Sequence, residues 1–269
     1  MIEAGTSQAR QEFVGGLEAG VTHRVVNARP ITLLSESDGK TVVVARDFNK
    51  TLFVRRNYKQ VALDRMNQLN GASFEDAWTA FHQLYSSVGI ELVPSVVIRP
   101  DPKVSIVEAP VVVASEYIDG TELSLAPTKA KVQVAEAMGA MLKTPGEYYP
   151  SLESIRRDMF RVGRNIDRTP RVVLVDVDPF LVDRKAVEST PDERDNWFSE
   201  YIVQVRDLLW DRWCKEDERA TVLTAFARPL GFVLNTFGQR DGERTLRAFM
   251  NVQSMAKGID MRKFSSLPF

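Results

Sequence analysis

The most restrictive feature of the sequence is a strand-forming run that ends in two carboxylates and a proline. Residues 171–175 are mostly β-branched or aliphatic, and Asp176, Asp178 and Pro179 follow them. Because Pro179 cannot donate to a β-ladder, the strand must end here. Asp176 and Asp178 lie two apart, so on an extended chain their side chains point to the same side. This geometry suits Mg2+, which prefers oxygen ligands. The alternative is that both acids form a turn after an ordinary core strand.

Length and charge limit the class of protein. The chain has 269 residues, enough for one large domain or two lobes, and its formal net charge is −1. A net charge this close to zero gives no general attraction to nucleic acid or to an anionic membrane. Because no long uninterrupted apolar segment is present either, we expect a cytoplasmic protein without a membrane partner.

Cysteine and histidine usage excludes several chemistries. The single cysteine, Cys214, rules out an intramolecular disulfide framework, and its aromatic-rich surroundings predict a buried, inert thiol. His23 and His82 are far apart and do not have metal-ligand spacing. Zinc catalysis and a Ser-His-Asp triad are therefore not expected.

The first half of the chain predicts a small antiparallel sheet with helices. Two strand-forming runs, 31–36 and 40–46, are joined by an Asp-Gly turn that is typical of hairpins, and a third run follows at 51–55. The pattern then becomes helical, and two more extended segments follow. The predicted elements after the meander are helices at 58–69 and from 73, and extended segments at 92–99 and 104–117.

The second half is mostly helical. A capping box that begins at Thr190 and ends at Glu193 predicts the start of a long helix. The sequence therefore predicts an α+β protein with an N-terminal extension at 1–24, a β-rich lobe at 25–117 and a helical lobe at 118–269. The predicted helices of the second lobe are 129–142, 151–166, 190–214, 216–235 and 243–256.

Two motifs carry a resemblance to a known family. Residues 116–123 read Glu-Tyr-Ile-Asp-Gly-Thr-Glu-Leu, and residues 173–176 read Val-Leu-Val-Asp. The first resembles the link between the lobes of protein-kinase-like enzymes, including the aminoglycoside phosphotransferases and other small atypical kinases. The second resembles their metal-binding aspartate. The resemblance implies a two-lobed kinase-like fold, with a small antiparallel-sheet lobe that carries a helix and a mostly helical second lobe.

The resemblance also implies a function and a set of site residues. The chain would be an ATP- and Mg2+-dependent phosphotransferase whose partners are the nucleotide and a small-molecule or protein acceptor. Phosphoryl transfer of this kind needs cations on the phosphates and an acid that accepts the hydroxyl proton. The implied residues are Asp158 as the base, Asn165, Asp176 and Asp178 as metal ligands, Arg55 or Arg56 on the phosphates with Glu75 orienting them, and the backbone of Glu116, Tyr117 and Ile118 against adenine.

Departures from the family pattern support a second hypothesis. Asp158 follows two arginines where the family has His-Arg or His-Gly, and Asn165 lies seven residues after Asp158 rather than five. There is no third-strand lysine and no glycine-rich phosphate loop. The alternative is therefore a degenerate, catalytically inactive kinase-like protein, a pseudokinase, that binds a partner or a nucleotide. The periodicity of residues 151–166 also fits an amphipathic helix, on which Asp158 would be a solvated side chain.

An arginine cluster supports a third interpretation. Six arginines fall within sixteen residues, a composition that suits phosphate or carboxylate recognition. They could bind an acidic partner or nucleic acid, or could form a solvated basic face. Because no aromatic row accompanies them, nucleic acid is not the expected partner. The six are Arg156, Arg157, Arg161, Arg164, Arg168 and Arg171.

Overall fold

The structure is a computed structural model with an α+β fold. It describes residues 25, 28–46, 50, 52–101, 103, 109–144, 146–164, 170–234 and 242–259. The chain divides into two compact units, each of which is described by itself. The first contains Ala72–Glu75, Val93–Asp119 and the chain up to Gln68, and the second contains Leu69–Gly71, Asp76–Leu92 and the chain from Gly120 onward.

The described strands of the first unit form a five-stranded antiparallel sheet with the order β1-β2-β3-β6-β5. The predicted meander is confirmed, because β1 pairs with β2 and β2 with β3. Its first turn closes with a hydrogen bond of 2.9 Å from the backbone N–H of Ser37 to the carbonyl of Lys40. The strands are β1 (Arg29–Glu36), β2 (Lys40–Arg46), β3 (Leu52–Tyr58), β5 (Ser95–Ile98) and β6 (Val111–Glu116).

Aliphatic side chains fill one face of this sheet. Alternate residues of β2 and of β6 join one cluster, because successive side chains of a strand point to opposite faces. At the end of the unit Tyr58 packs against Phe74, with ring centroids 5.1 Å apart. The cluster consists of Val25, Ala28, Val43, Ala45, Phe53, Ile98, Ala109, Val112 and Ala114.

The described strands of the second unit form two small sheets. The larger has the order β4-β10-β9-β7, in which β10 runs parallel to β4 and antiparallel to β9. The predicted strand at 171–175 is confirmed as β10. The strands are β4 (Glu91–Leu92), β7 (Thr121–Glu122), β9 (Phe160–Arg164) and β10 (Pro170–Leu174), with β8 (Tyr148–Pro150) and β11 (Leu181–Asp183) in the smaller sheet.

The predicted helix at 151–166 is wrong. A single 3₁₀ turn at Leu152–Ser154 and a turn at 157–158 precede β9, whose backbone pairs with β10. The apolar side chains that suggested helical spacing are instead distributed between the turn and the strand. Ile155, Met159 and Val162 are all buried there, and Phe160 and Val162 alternate as strand residues do.

The predicted helices at the other positions are confirmed, with small shifts at their ends. Thr190 caps its helix as expected, because its Oγ1 accepts a hydrogen bond of 3.1 Å from the backbone N–H of Glu193. A π-helical turn, Leu208–Trp213, extends that helix.

No described helix is long and apolar enough to cross a bilayer. The helices are α1 (Gln60–Asn70), α2 (Phe74–Ser87), α3 (Thr128–Ala140), α4 (Arg184–Val187), α5 (Pro191–Asp207), α6 (Arg219–Leu234) and α7 (Glu243–Ala256).

Helices α3 and α6 approach each other closely because Gly139 lies at their crossing. A Cβ atom at this position would overlap the carbonyl oxygen of Phe226 and would lie 2.7 Å from Cγ of Pro229. Helix α5 joins the same group through Tyr201, whose hydroxyl donates 2.7 Å to the carbonyl of Met138. Close backbone packing is therefore built into the core of the helical unit.

A buried ion pair ties α3 to the start of α6. Lys131, which has no exposed side-chain surface, donates to Glu218 at 2.5 Å and to the carbonyl of Ser124 at 3.1 Å. Glu218 also accepts from the hydroxyl of Thr128 and the backbone N–H of Lys215. Burial would raise the pKa of Glu218, but these donors outweigh burial and hold that pKa below its ordinary value.

The neighbouring thiol, Cys214, is less buried than the sequence predicts. Cys214 is a half-buried free cysteine. Burial raises the pKa of the Cys214 thiol to about 12. Since the thiolate is the reactive form, nucleophilic or redox chemistry at Cys214 is disfavoured near neutral pH.

Replacement of Gly139 by alanine is expected to destabilise the helical unit. The new methyl group must push α3 away from α6, and overpacking of this kind costs about 1–3 kcal/mol. Gly231→Ala is the matched control, because a Cβ atom there meets only Cζ of Phe249, at 3.9 Å. The free energy of unfolding in urea should fall for Gly139→Ala and stay level or rise for Gly231→Ala. Equal effects would contradict the close crossing.

The Lys131–Glu218 pair predicts a specific pH dependence. Because the folded-state pKa of Glu218 lies below its ordinary value of 4.5, the pair stabilises the fold above that pH. That contribution is lost as the pH falls through the folded-state pKa. Glu218→Gln should lower the free energy of unfolding near neutral pH by about 3 kcal/mol, since it leaves a buried ammonium without its counter-charge.

The pH dependence separates this effect from general damage. Denaturant unfolding measured over a pH series should show a shallower acid slope for Glu218→Gln than for the wild type. Glu216→Gln, at an exposed position two residues away, should leave both the slope and the stability near those of the wild type. An unchanged acid slope in Glu218→Gln would refute the assignment.

Candidate functional site

Asp158 and the neighbouring Arg156 and Arg157 lie on one loop between β8 and β9, the 151–158 loop. Glu153 and Asp158 are exposed, as are Arg156 and Arg157. Between them the chain turns inward, and Ile155 is buried. The loop therefore presents two carboxylates, five residues apart, on a segment anchored by an apolar side chain.

Side chains from the helical scaffold hold the backbone of this loop. Nε2 of Gln204, on α5, donates to the carbonyls of Leu152 and Ile155 at 2.8 and 3.0 Å. Nε1 of Trp213, in the π-helical turn, donates to the carbonyl of Arg157 at 2.9 Å. These bonds satisfy three carbonyls of an irregular segment, and unmade bonds there would carry a desolvation cost. The loop is therefore positioned by the scaffold.

The segment after β10, residues 175–180, lies against the end of the same loop. The backbone N–H groups of Val175 and Asp176 donate to the carbonyl of Met159 at 2.8 and 3.3 Å. The segment then turns, with the N–H of Phe180 donating 2.8 Å to the carbonyl of Asp178. Backbone hydrogen bonding thus places Asp176 beside the residue that follows Asp158.

The two aspartates of this segment have different environments. Asp176 is half-buried, whereas Asp178 is 3% exposed. A carboxylate with so little exposure has its polar atoms directed into the protein. Asp176 is therefore the better placed of the two to reach a ligand from solvent.

A buried tyrosine lies within the field of Asp176. Tyr85, on α2, is fully buried. Burial is the main cause of its raised pKa; the Ser154 hydroxyl lowers that pKa in part, and the charge of Asp176 raises it. Tyr85 therefore remains a neutral phenol beside the carboxylate at all physiological pH values.

The predicted phosphate-binding arginines are both buried in the first unit. Nη1 of Arg55 donates to the carbonyls of Val25 and Ala28, each at 3.1 Å. Nη1 of Arg56 donates 3.0 Å to the hydroxyl of Ser115. Their exposed fractions are 3% and 4%, so both guanidinium groups have internal partners. Their phosphate-binding role stays a prediction.

Glu75 pairs with Arg99, which was not among the predicted site residues. Both carboxylate oxygens of Glu75 accept from Arg99, at 2.7 and 2.9 Å, in an exposed bidentate pair. The hydrogen bond from Arg99 is the main reason that the pKa of Glu75 is lowered. Arg99 was not singled out by the sequence because the turn that brings it to α2 is not readable from local pattern.

The predicted adenine-binding link begins at the end of β6. Glu116 and Ile118 are half-buried, and Tyr117 between them is 41% exposed. The backbone N–H of Glu116 donates a hydrogen bond of 2.9 Å to the carbonyl of Pro94. Gly120 follows, where a Cβ atom would lie 2.7 Å from the carbonyl oxygen of Val162. The glycine of the motif therefore permits close approach to β9.

Two arginines of the cluster are paired with acidic side chains. Arg171 forms a fork with Glu91 at 2.6 and 3.0 Å, and Arg157 lies 3.5 Å from Glu122. Position 168 lies outside the described residues, as does Asn165, whose metal role stays a prediction. Among the described residues no three His, Cys, Asp or Glu side chains form a metal-binding group. A magnesium site completed by substrate phosphates would need fewer protein ligands than that.

Sequence reasoning missed the residues that position the loop. Gln204, Trp213 and Tyr85 carry no local motif, and each contacts the site across a separation of many residues. A weak signal exists for Trp213, since a buried indole usually requires an acceptor for its N–H.

No protein-family model matches the chain, and no curated protein matches it. The resemblance to the kinase-like superfamily therefore rests on its two motifs and on the order of elements.

The clamp on the 151–158 loop is testable at Gln204. Gln204→Met keeps the length of the side chain and removes both donated hydrogen bonds. We expect a loss of about 1–3 kcal/mol in the free energy of unfolding, because the carbonyl of Ile155 loses its donor and that of Leu152 loses one of its two donors. Amide hydrogen exchange of residues 152–158 should accelerate. Gln253→Met, at an exposed position on α7, is the matched control. Unchanged exchange in the loop would contradict the clamp.

Proposed function

We propose that the chain is an ATP- and Mg2+-dependent phosphotransferase of the kinase-like class, acting on a small-molecule or protein acceptor. One observation carries the proposal: the N–H groups of Val175 and Asp176 both bond to the carbonyl of Met159. These bonds bring a strand-end aspartate next to a fixed loop that displays two exposed acids. Such an arrangement can hold a cation and accept a proton, the two tasks that phosphoryl transfer requires of acidic residues.

Asp176 and Asp158 are the residues that we expect to hold the metal. They are contributed by two segments that hydrogen bonds join at Met159, and both have exposed surface. When bound with the nucleotide, Mg2+ would neutralise charge on the phosphates. Asp178, being almost fully buried, fits a supporting role in the segment better than direct ligation.

The spacing on the loop favours Glu153 as the proton acceptor. The family pattern separates its base and its metal-binding residue by five positions, and Glu153 and Asp158 have this spacing. Asp158 and Asn165, in contrast, are seven positions apart in the sequence. We therefore assign Asp158 to the metal and Glu153 to the hydroxyl of the acceptor. Glu153 would take that proton as the oxygen bonds to the γ-phosphorus and ADP leaves.

A nucleotide-binding protein without turnover is the second candidate. The observation that favours it is the burial of Arg55 and Arg56, whose guanidinium groups bond to carbonyls and to Ser115. An active enzyme needs a cationic side chain on the phosphates. If neither arginine supplies it, ATP binding without transfer is the expected behaviour. The adenine-binding role of Glu116, Tyr117 and Ile118 stays a prediction for both candidates.

Nucleotide binding is tested first by thermal stability. ATP at millimolar concentration with Mg2+ should raise the Tm of the wild type, because a ligand that binds only the folded state stabilises it. The shift should shrink with EDTA and disappear in Asp176→Ala. Asp192→Asn, at an exposed position on α5, should retain it. Absence of any shift in the wild type would end the proposal.

Phosphate release from ATP then assigns the two loop acids. Glu153→Gln should bind Mg·ATP normally and release phosphate about 10²- to 10⁴-fold more slowly, as expected for loss of a general base. Asp158→Asn keeps an oxygen ligand and should retain much of the activity, whereas Asp158→Ala should not. If Asp158→Asn loses activity and Glu153→Gln retains it, Asp158 is the general base instead. Binding without release in the wild type would favour the second candidate.

A further inference from the structure

A groove borders the buried side of the 151–158 loop. Its volume is about 630 Å3. One wall is formed by Leu152 and Ile155 of the loop, and the other by α5 and the π-helical turn, including Val203 and Leu208. Gln204 also lines the groove, and it is the residue that donates to the carbonyls of Leu152 and Ile155. The two walls of the groove are therefore joined by the hydrogen bonds of Gln204.

The rim of the groove is acidic. Glu200, Asp207 and Asp211 line it, against a single guanidinium from Arg212. Asp207 is paired with Arg206 at 2.8 Å, and Glu200 accepts 3.0 Å from Asn196. Because Arg206 is paired with Asp207 and Arg212 lies on the same rim, the three carboxylates face two guanidinium groups, which leaves an excess of one negative charge around an aliphatic interior. A ligand that complements both features has an apolar body and a positive end.

The π-helical turn fixes the shape of this groove. Arg219 donates 2.9 Å from Nε to the carbonyl of Trp210, and its guanidinium lies 4.7 Å from the centre of the Trp210 ring. Trp213 anchors the other end of the turn to the loop. π-Helical turns inside α-helices frequently occur at functional sites. Here the turn places Leu208, Asp211 and Arg212 along one edge of the groove.

We propose that this groove is a second binding site, which takes an organic cation with an aliphatic body, such as an alkylammonium ion. The chain would enter between Leu152, Ile155, Val203 and Leu208, and the ammonium group would lie among the carboxylates of the rim. The proposal does not depend on phosphotransferase activity, because it rests on the shape and charge of the groove alone.

Occupancy of the groove is coupled to the loop through Gln204. A ligand in the groove contacts the side chain that holds the carbonyls on either side of Glu153. It also contacts Leu152 and Ile155 directly. Binding should therefore slow local opening of the loop, since a ligand stabilises the conformation to which it binds. The predicted consequence is a ligand-dependent change in the exposure of a segment that also carries Asp158.

Calorimetric titration with n-octylammonium and n-octanoate tests the proposal, with both probes below the concentrations at which they form micelles. Octylammonium should bind and octanoate should not. Asp211→Asn should weaken octylammonium binding about fivefold, the size expected for loss of one exposed ion pair. Asp217→Asn, at an exposed position outside the groove, should leave it unchanged.

A second variant and a second measurement keep the test decisive. Val203→Phe fills the apolar interior and should abolish binding, and Ser199→Phe should do the same from the next turn of α5. Octylammonium should also slow amide exchange at residues 152–158 in the wild type and in Asp217→Asn. Equal binding of octanoate, no binding of octylammonium, or full binding in both filled variants would overturn the proposal. Binding that leaves loop exchange unchanged would overturn the coupling.

Discussion

The carbonyl of Met159 is the contact on which the arrangement of the site depends. It accepts hydrogen bonds from both Val175 and Asp176, which closes the β9–β10 pair at the end where the acids lie. The β9–β10 ladder already pairs Phe160 with Leu174, and the bonds to Met159 continue this pairing toward Asp158 and Asp176. These bonds also satisfy two backbone N–H groups that would otherwise lack a ladder partner at the end of the strand.

Side chains of the helical scaffold hold the 151–158 loop in position. Gln204 and Trp213 satisfy carbonyls of a segment that has no regular structure, and both come from one helix and its π-helical extension. That helix is packed against α3 by Tyr201, and α3 is in turn tied to α6 by Gly139 and by the Lys131–Glu218 pair. Contacts within the helical core therefore help to position the loop that carries the exposed Glu153 and Asp158. The position of the loop therefore depends on contacts throughout the bundle.

Much of the fold was predictable, and the errors have a common cause. The Asp-Gly turn, the capping box at Thr190 and the apolar run of β10 are local signals with local physics, and each predicted its element correctly. Residues 151–166 failed because their apolar spacing fits a helix equally well. Pairing with β10 decided between the two, and that pairing depends on residues outside the window. The partners of Glu75, Arg55 and Arg56 were missed for the same reason, since each partner is distant in sequence.

The sequence by itself determined most of the element types, the α+β class and the presence of acids at the end of a buried strand. These follow from periodicity, turn chemistry and composition, which act over a few residues. Only the tertiary structure decided that Glu153 and Asp158 share a clamped loop, that Asp176 lies beside it while Asp178 is buried, and that a groove borders the loop. Such proximity arises from hydrogen bonds and packing between segments that are far apart along the chain, and no local pattern encodes it.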